Sequence, residues 1–583
     1  MRDFKKHKHF CSCDNCKPIV NDTGLSRKHF LKTLGAATIG LGLNPMSAFA
    51  LQEEGKAKEI ENSSVVKSGK VQRISLLHTT DIHGQINVHD EFFWENGKVV
   101  FKKRGGFAHL KTMITELRKQ NPNTLLLDGG DCFQGSGIAT LTQGQALVPL
   151  MNNLEYDLVL PGNWEVVYGK KMLLKDLGGY NAQKICANMF DDDGVSDLMF
   201  PPYSIFYIGG IKIGFVGYND PLTPIRQSPD YSKGIKFCDP EKNLAKYVKI
   251  LREQEQCKMV FVMSHMGLAQ QLNLAAQPYA EGVDYILGAD THERIREPLQ
   301  GKYSKVTEPG AFASFIGKLD IVIEDGKIKD ESYELIDVDP EKYSADREML
   351  SLIEETFKPH EKELKKIVGK TKTPLYRAFI IETPMDNLIT DAVMWKVKTD
   401  IAVSNGFRFC PPLIPDEKTG IAEITKDYLW SMLPVNSQIK TAEVTGTQIW
   451  NWLESELENA FSKDATKRFG GWFVRFKGMK VVFTIGNDKG KRIQSIKVNN
   501  KAIDLNKTYT MVACQRDGDP DDMLCRMKNT HNPVSKGILL HDVLEEYLAK
   551  FSPVSPKLEG RAIATDADAT LLTQVEGVNY KFR

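Results

Sequence analysis

Hydrophobic positions in this chain fall into short runs that stop abruptly at polar residues. Five such stops follow one another. Leu76-Leu77 leads into His78-Thr79-Thr80-Asp81-Ile82-His83-Gly84, and Leu125-Leu126-Leu127 into Asp128-Gly129-Gly130-Asp131. Leu158-Val159-Leu160 leads into Pro161-Gly162-Asn163, Val260-Phe261-Val262-Met263 into Ser264-His265, and Tyr285-Ile286-Leu287 into Gly288-Ala289-Asp290-Thr291-His292. From Val71 onward these runs alternate with helical patterns, which predicts the strands and helices of an α/β domain. Gly105-Gly106 opens one such helix, with Leu110, Met113, Ile114 and Leu117 at i, i+3, i+4 and i+7. Asp337 to Lys372 is charged and helical in pattern, with Met349, Ile353 and Phe357 a turn apart and Pro359 predicting a break. Thr445-Gly446-Thr447 predicts the cap of a helix whose Ile449, Trp450 and Leu453 face a core. Gly470-Gly471-Trp472-Phe473-Val474-Arg475 predicts a turn into a strand, with its aromatics expected in the core and the cleft as the alternative.

Each polar stop delivers a side chain able to bind a divalent cation: Asp81, His83, Asp131, Asn163, His265, Asp290 and His292. Any one of them alone reads as a turn carboxylate or a surface imidazole. Their order at successive strand ends makes the case for a metal site. A carboxylate has two oxygens, so one Asp can bridge two cations roughly 3.5–4 Å apart, and Asp131 is assigned that role. Asp128 is expected to stabilise the turn or support a ligand. Mixed oxygen and nitrogen ligands without thiolate favour two divalent ions, manganese before iron or zinc, over a structural zinc.

A chain of 583 residues exceeds one ordinary core and predicts two domains with extras. Its 76 basic and 75 acidic residues leave a net charge of +1, which gives no electrostatic case for nucleic acid. Of 10 cysteines, Cys11, Cys13 and Cys16 cluster near the start and are assigned no site; the others are expected to be mostly buried free thiols, with room for one bridge that spacing does not assign. Residues 1–50 read as an export signal. A basic segment precedes the apolar stretch Leu34 to Leu43, and Ala48-Phe49-Ala50 supplies a cleavage site. The apolar stretch is too short to span a bilayer, so no stable membrane insertion is expected after cleavage. Ser26-Arg27-Lys28-His29-Phe30-Leu31-Lys32 resembles the twin-arginine signal, with Lys28 in place of the second arginine. The expected location is periplasmic or otherwise exported by that route, with residues 51–70 as a linker.

The order D-x-H, G-G-D, G-N-x-E, S-H and x-T-H resembles the calcineurin-like metallophosphoesterase domain of the 5'-nucleotidase family. The resemblance implies one metal on Asp81, His83, Asp131 and His292, and the other on Asp131, Asn163, His265 and Asp290, with Asn163 also counted as catalytic. Two positions depart from the family. Its His after the Asn, which assists ester cleavage, is Trp164 here, and the first His of its last motif is Asp290. Asp128-Gly129-Gly130-Asp131-Cys132-Phe133-Gln134-Gly135-Ser136-Gly137 and Gly162-Asn163-Trp164-Glu165 are similar to the thiosulfohydrolase branch, a two-manganese enzyme that removes sulfate from a cysteine-bound sulfur chain on a carrier protein.

The fold implied is α/β: a four-layer αββα metallophosphoesterase sandwich over 71–340, a linker helix over 341–372, a smaller α+β C-terminal 5'-nucleotidase-type domain over 373–570, and a tail over 571–583. Thr383-Pro384-Met385-Asp386 would begin the first helix of the second domain. Ser404-Asn405-Gly406-Phe407-Arg408 would place Arg408 on the substrate anion, since a guanidinium fork suits phosphate and sulfonate alike. The family's base-clamping stretch reads Arg516-Asp517-Gly518-Asp519 here, without an aromatic. The expected activity is thiosulfohydrolase-like cleavage of a phosphate or sulfate (thio)ester by a metal-bridging hydroxide. The expected partners are a small anionic substrate, nucleotide or sulfonated thiol, and a sulfur-carrier protein. A broad 5'-nucleotidase or sugar-nucleotide hydrolase is the alternative, which an aromatic clamp elsewhere in the second domain would favour; a non-catalytic metal-binding relative is the third.

Overall fold

The computed structural model describes residues 58–59, 71–193, 197–406 and 410–572. The export signal expected over 1–50, the Cys11, Cys13 and Cys16 cluster, and Arg408 lie outside the described residues.

The strand Met259–His265 explains why the apolar runs are continuous. Met259, Phe261 and Met263 enter one hydrophobic core, while Val260 and Val262 enter another on the opposite face. A strand buried on both faces has no polar side to alternate with. The first core lies between two sheets. One has six strands, with Gln72–Thr79 flanked by Thr124–Asp128 in parallel and Phe315–Glu324 in antiparallel. The other has seven, and Ile211–Asn219, Met259–His265 and Tyr285–Gly288 run parallel through its centre. The helix Phe107–Gln120 adds Leu110, Met113, Ile114 and Leu117 to the same continuous hydrophobic cluster, each side chain contributing about 1.5–3 kcal/mol by burial. The helices Leu244–Lys249 and Leu268–Ala275 cover the outer face of the seven-stranded sheet. Helix, sheet, sheet and helix give the four layers. Registers such as Thr79 opposite Asp128, and Asn219 opposite His265, bring the C-terminal strand ends to one edge. That edge of an α/β sheet is where ligands bind.

The segment 341–372 is not one linking helix. Asp346 caps Arg347–Phe357, which buries Met349 and Ile353; the chain turns at Pro359 and forms the short helix Glu361–Leu364. Ile367–Thr371 is then a strand, paired antiparallel with Ala422–Thr425.

The second domain is built on a five-stranded sheet, order Arg475–Lys477, Ile401–Ser404, Thr508–Cys514, Gln438–Thr445 and His531–Leu539. Tyr509, Met511 and Ala513 face one core, Val512 the other. Thr383 caps Pro384–Val397 with proline at the first turn. Thr445 and Gln448 form a reciprocal capping box at the start of Gly446–Phe461. In that helix Trp452 joins Ile449, Leu453 and Leu457 in the core, and Trp450 is only half-buried. Trp452 lies three positions beyond Ile449, which keeps both on one face; Trp450 falls about 100° away.

A hairpin, Val88–Glu95 with Lys98–Gly105, ties the two domains together. Its Phe92 and Phe101 pack against Tyr376 and Phe379 of the second. Glu91 anchors it: one oxygen meets Arg294 at 2.6 Å, the other accepts from Ser314 at 2.8 Å, and the Arg294 guanidinium stacks on Phe93 and Phe315. Burial would raise the Glu91 pKa, but Arg294 and His89 hold it down to about 2. The unfolded chain therefore binds more protons than the folded one below the ordinary value of 4.5. This contribution to stability is complete above that value and is lost as pH falls toward about 2. Arg294→Met should lower the unfolding free energy by about 3–5 kcal/mol at neutral pH. Denaturant melts should show the gap to wild type narrowing as pH falls from about 4.5 toward about 2; a pH-independent gap would exclude the pair as its source.

Candidate metal centre

Asp81, His83, Asp131, Asp290 and His292 all adopt positive φ, at 52°, 52°, 61°, 86° and 60°. Five non-glycine residues in a region that side chains disfavour, gathered at one edge, mark a place where the fold overrides local preference. The override is hydrogen-bonded. Asp81 N–H donates to Gly130 O and His83 N–H to Asp131 O, each at 2.8 Å, while Phe312 N–H donates to Asp81 O at 2.9 Å. Gly130, at φ +96°, lies so close to Gly162 that a Cβ would meet its nitrogen at 2.3 Å. Only glycine allows the two loops this approach.

Glu165 locks them. Its buried carboxylate accepts from Asp131 N–H at 2.9 Å, Gly162 N–H at 2.7 Å, Cys132 N–H at 2.5 Å and Phe133 N–H at 3.4 Å. Sequence reasoning places Glu165 in a motif but gives it no role; a charged residue two positions beyond Asn163 is the available signal. Asp128 serves the same turn, accepting from Thr79 Oγ1 at 2.8 Å and Gly130 N–H at 3.0 Å. Burial lifts its pKa to about 7.

These loops bring two groups of three side chains together: Asp81, His83 and His292, and Asp81, Asp131 and His265, each with ligand atoms within 4.8 Å of one another. Asp81 is common to both. Its Oδ1 lies 3.4 Å from His292 Nε2 and 3.8 Å from the Nε2 of His83 and of His265. Asp131 Oδ2 lies 3.0 Å from His265 Nε2 and 3.8 Å from His83 Nε2, so it too stands between the groups. His83 Nδ1 donates to Gln134 O at 2.9 Å and His265 Nδ1 to Gly129 O at 2.7 Å. Each Nε2 thereby faces the cluster, that of His265 toward Asp131 and that of His83 toward His292 at 3.1 Å.

The donor set fits divalent cations. Asp81 Oδ1 and His265 Nε2 are fully buried, and their near neighbours are other carboxylates and imidazoles of the same cluster, Asp131 for His265 and His292 for Asp81, a concentration of buried polar atoms that is costly unless they share a charge. The pKa directions agree. Burial drives Asp131 well above the carboxylate range. Burial, then His292, drives His83 well below the imidazole range. Against the same desolvation, Asp131 and Asp81 hold His265 well above it.

Asn163 and Asp290 stand beside the two groups and are tied to each other. Asn163 Nδ2 donates to Asp290 Oδ1 at 2.7 Å, and Asn163 Oδ1 accepts from Gln227 Nε2 at 2.9 Å. Asp290 Oδ2 pairs with Arg226 Nη1 at 3.1 Å, and the same Nη1 pairs with Asp220 Oδ2 at 3.1 Å. Arg226, Gln227 and Asp220 do not stand out in the sequence; no motif surrounds them, and only the fold brings them to Asp290.

A cavity of about 130 Å³ lies between the domains over this cluster. His83, Asp131, Asn163, Asp290 and His292 form its floor, Trp164, Arg226 and Gln227 one wall, and Phe469, Trp472 and Arg526 of the second domain the other. Of the aromatics expected in a core, Phe473 is buried there and Trp472 instead faces the cleft, its indole N–H donating to Asn405 O at 3.0 Å. The Arg516–Asp519 stretch, which lacks the base-clamping ring, docks the domains: Arg516 Nη1 donates to Ile225 O and Gln227 O at 2.6 and 3.1 Å, and Asp517 O accepts from Ser228 Oγ at 2.7 Å.

The sequence matches two family models, "Calcineurin-like phosphoesterase" over residues 74–294 and "5'-nucleotidase, C-terminal domain" over residues 367–515. The chain belongs to the metallophosphoesterases that carry a 5'-nucleotidase C-terminal domain, metal-dependent hydrolases of ester bonds. It is similar to the snake venom 5'-nucleotidase of Crotalus adamanteus, 25% identical over 542 residues covering 84% of this chain and 88% of the relative. It is also similar to the 5'-nucleotidase of Vibrio vulnificus, 23% identical with 83% and 91% covered. Among solved structures, the sulfate thiohydrolase SoxB of Thermus thermophilus superposes with a TM-score of 0.75 at 22% identity, covering 86% of this chain and 98% of that one. A 5'-nucleotidase precursor from the same species, Thermus thermophilus, gives 0.72 at 22% identity, with 85% and 100% covered. At that identity these structures establish the shared two-domain fold.

Glu165→Gln replaces an acceptor oxygen with an NH₂ group facing backbone N–H donors. Thermal unfolding should show a loss of about 1–3 kcal/mol, and circular dichroism an otherwise intact fold; an unchanged melting temperature would mean the carboxylate does not hold these loops.

Proposed function

We propose that the chain is an exported hydrolase with two divalent cations at this edge, acting on a small substrate that joins a terminal phosphate or sulfate to a planar group, a 5'-nucleotide first. The observation that carries the reading is the pair of three-residue groups sharing Asp81 on the floor of a cavity walled by Phe469 and Trp472. Asp81, His83 and His292 would hold one cation, and Asp81, Asp131 and His265 the other, with Asn163 and Asp290 alongside. Such cations supply Lewis acidity and an activated water, manganese suiting the oxygen and nitrogen donors best.

The chain's own groups then divide the remaining work. Trp472 offers a flat face to a planar group, with Phe469 beside it against Arg226 and Arg526, and ring stacking adds about 0.5–1.5 kcal/mol beyond the area buried. The two domains wall the floor from opposite sides, and Asn163, held through its amide by Asp290 and Gln227, stands beside it. At position 164 an indole stands where a proton donor would aid an alkoxide leaving group. That observation favours a second reading, thiosulfohydrolase-like release of sulfate from a sulfonated thiol, because a thiolate leaves without a proton. Export would follow from residues 1–50, and the seven free cysteines among the described residues suit passage in a folded state.

Manganese-loaded protein should release phosphate from a 5'-nucleotide faster than sulfate from an S-sulfonated cysteine peptide. Sulfate release alone would establish the second reading, and silence on both esters would reject hydrolysis. Metal analysis should find about one equivalent in His265→Ala and in His292→Ala, and none in Asp81→Ala; full occupancy in Asp81→Ala would remove Asp81 from the centre.

A further inference from the structure

Arg226 does two things in the cleft. Its Nη1 lies 3.1 Å from both Asp290 Oδ2 and Asp220 Oδ2, so one nitrogen answers both carboxylates. Its Nε is buried with no hydrogen-bond partner. In a planar guanidinium, Nε and Nη2 form the edge that does not contain Nη1, a fork matched to paired oxygens. Arg226 lines the cavity over the metal groups, with the Phe469 ring 5.9 Å from its guanidinium carbon and Arg526 5.7 Å from the same ring. The backbone on either side is pinned from the second domain, since Arg516 takes the carbonyls of Ile225 and Gln227. A guanidinium fixed at Nη1, capped by a ring and held at both neighbouring carbonyls loses little freedom on meeting an anion.

We infer that Arg226 is the substrate-orienting residue of the first domain: its Nε/Nη2 edge takes two terminal oxygens of a tetrahedral oxyanion, phosphate or sulfate, above the metal groups. Asp290 and Asp220 aim it. The placement of the anion rests on the hydrolase reading proposed above, but the contact is a binding property and is tested as one.

Binding of inorganic phosphate, and separately of sulfate, to the manganese-loaded full chain can be followed by the fluorescence of Trp164 and Trp472, which line the same cavity. Arg226→Lys keeps the charge and loses the fork; Arg226→Met loses both. Each should weaken phosphate binding about ten- to a hundredfold with metal content at the wild-type level. If esters turn over, KM should rise more than kcat falls. The double variant Arg226→Met, Asp290→Asn should not recover affinity. Wild-type affinity in Arg226→Lys, or recovery in the double variant, would reduce Arg226 to a counter-ion for Asp290 and overturn the inference. Loss of metal in both single variants would overturn it as well, by assigning Arg226 to the centre itself, and so would a wild type that binds neither oxyanion. A wild type that binds phosphate through Arg226 yet hydrolyses no ester would instead sustain the inference and defeat the proposed activity.

Discussion

One buried carboxylate makes the rest of this site possible. Glu165 accepts backbone N–H groups from both the Asp131 loop and the Gly162 loop, and so joins the ends of two parallel strands that would otherwise present unpaired donors at a sheet edge. Backbone amides at a turn are an anion site, and here the anion is built into the chain. With those loops fixed, Asp131 can hold a left-handed backbone, and Asp81 and His83 can hydrogen-bond to it from the neighbouring strand. The strain in five positive-φ residues is offset by this bonding rather than relieved.

The second constraint is charge. Asp81, Asp131, Asp128, Glu165 and Glu308 are all buried near one another, and desolvation lifts Glu308, like Asp131, well above the carboxylate range. Such a concentration of carboxylates is compatible with a stable fold when imidazoles, backbone donors and cations share it. Asp290 adds one more negative charge, and the fold places Arg226 against it. The substitution that separates this chain from the resembled motif thus comes with a neighbour that the motif does not contain.

The two domains are coupled through the same region. Arg516 reaches from the second domain to the loop that carries Arg226, and Phe469 lies over the guanidinium. The stretch that lacks the base-clamping ring holds the domains together, and the second domain's rings facing the cleft come from the segment just before strand Arg475–Lys477. A cleft defined by both domains depends on their docking for its shape, so the hairpin contacts of Phe92 and Phe101 with Tyr376 and Phe379 bear on the site from a distance.

Much of this was legible in the sequence, because doubly buried strands are written as continuous apolar runs and metal-binding side chains follow them at once. Asp81, His83, Asp131, His265 and His292 stand out as candidates that way, and the fold brings the five together; the α/β class is legible by the same pattern. The sequence could not decide which carboxylate stands between the two groups, since that depends on side-chain directions set by the left-handed backbone; Asp81 shares the position with Asp131. Nor could it separate Trp472 from Phe473, adjacent residues on opposite faces of one strand entry, or choose Trp452 over Trp450 for the core. Arg226, Gln227 and Asp220 were invisible for a simpler reason. Arg226 lies 64 residues from Asp290, and Gln227 64 residues from Asn163. Their segment has neither periodicity nor motif, and only the parallel registers of the sheet bring them into contact.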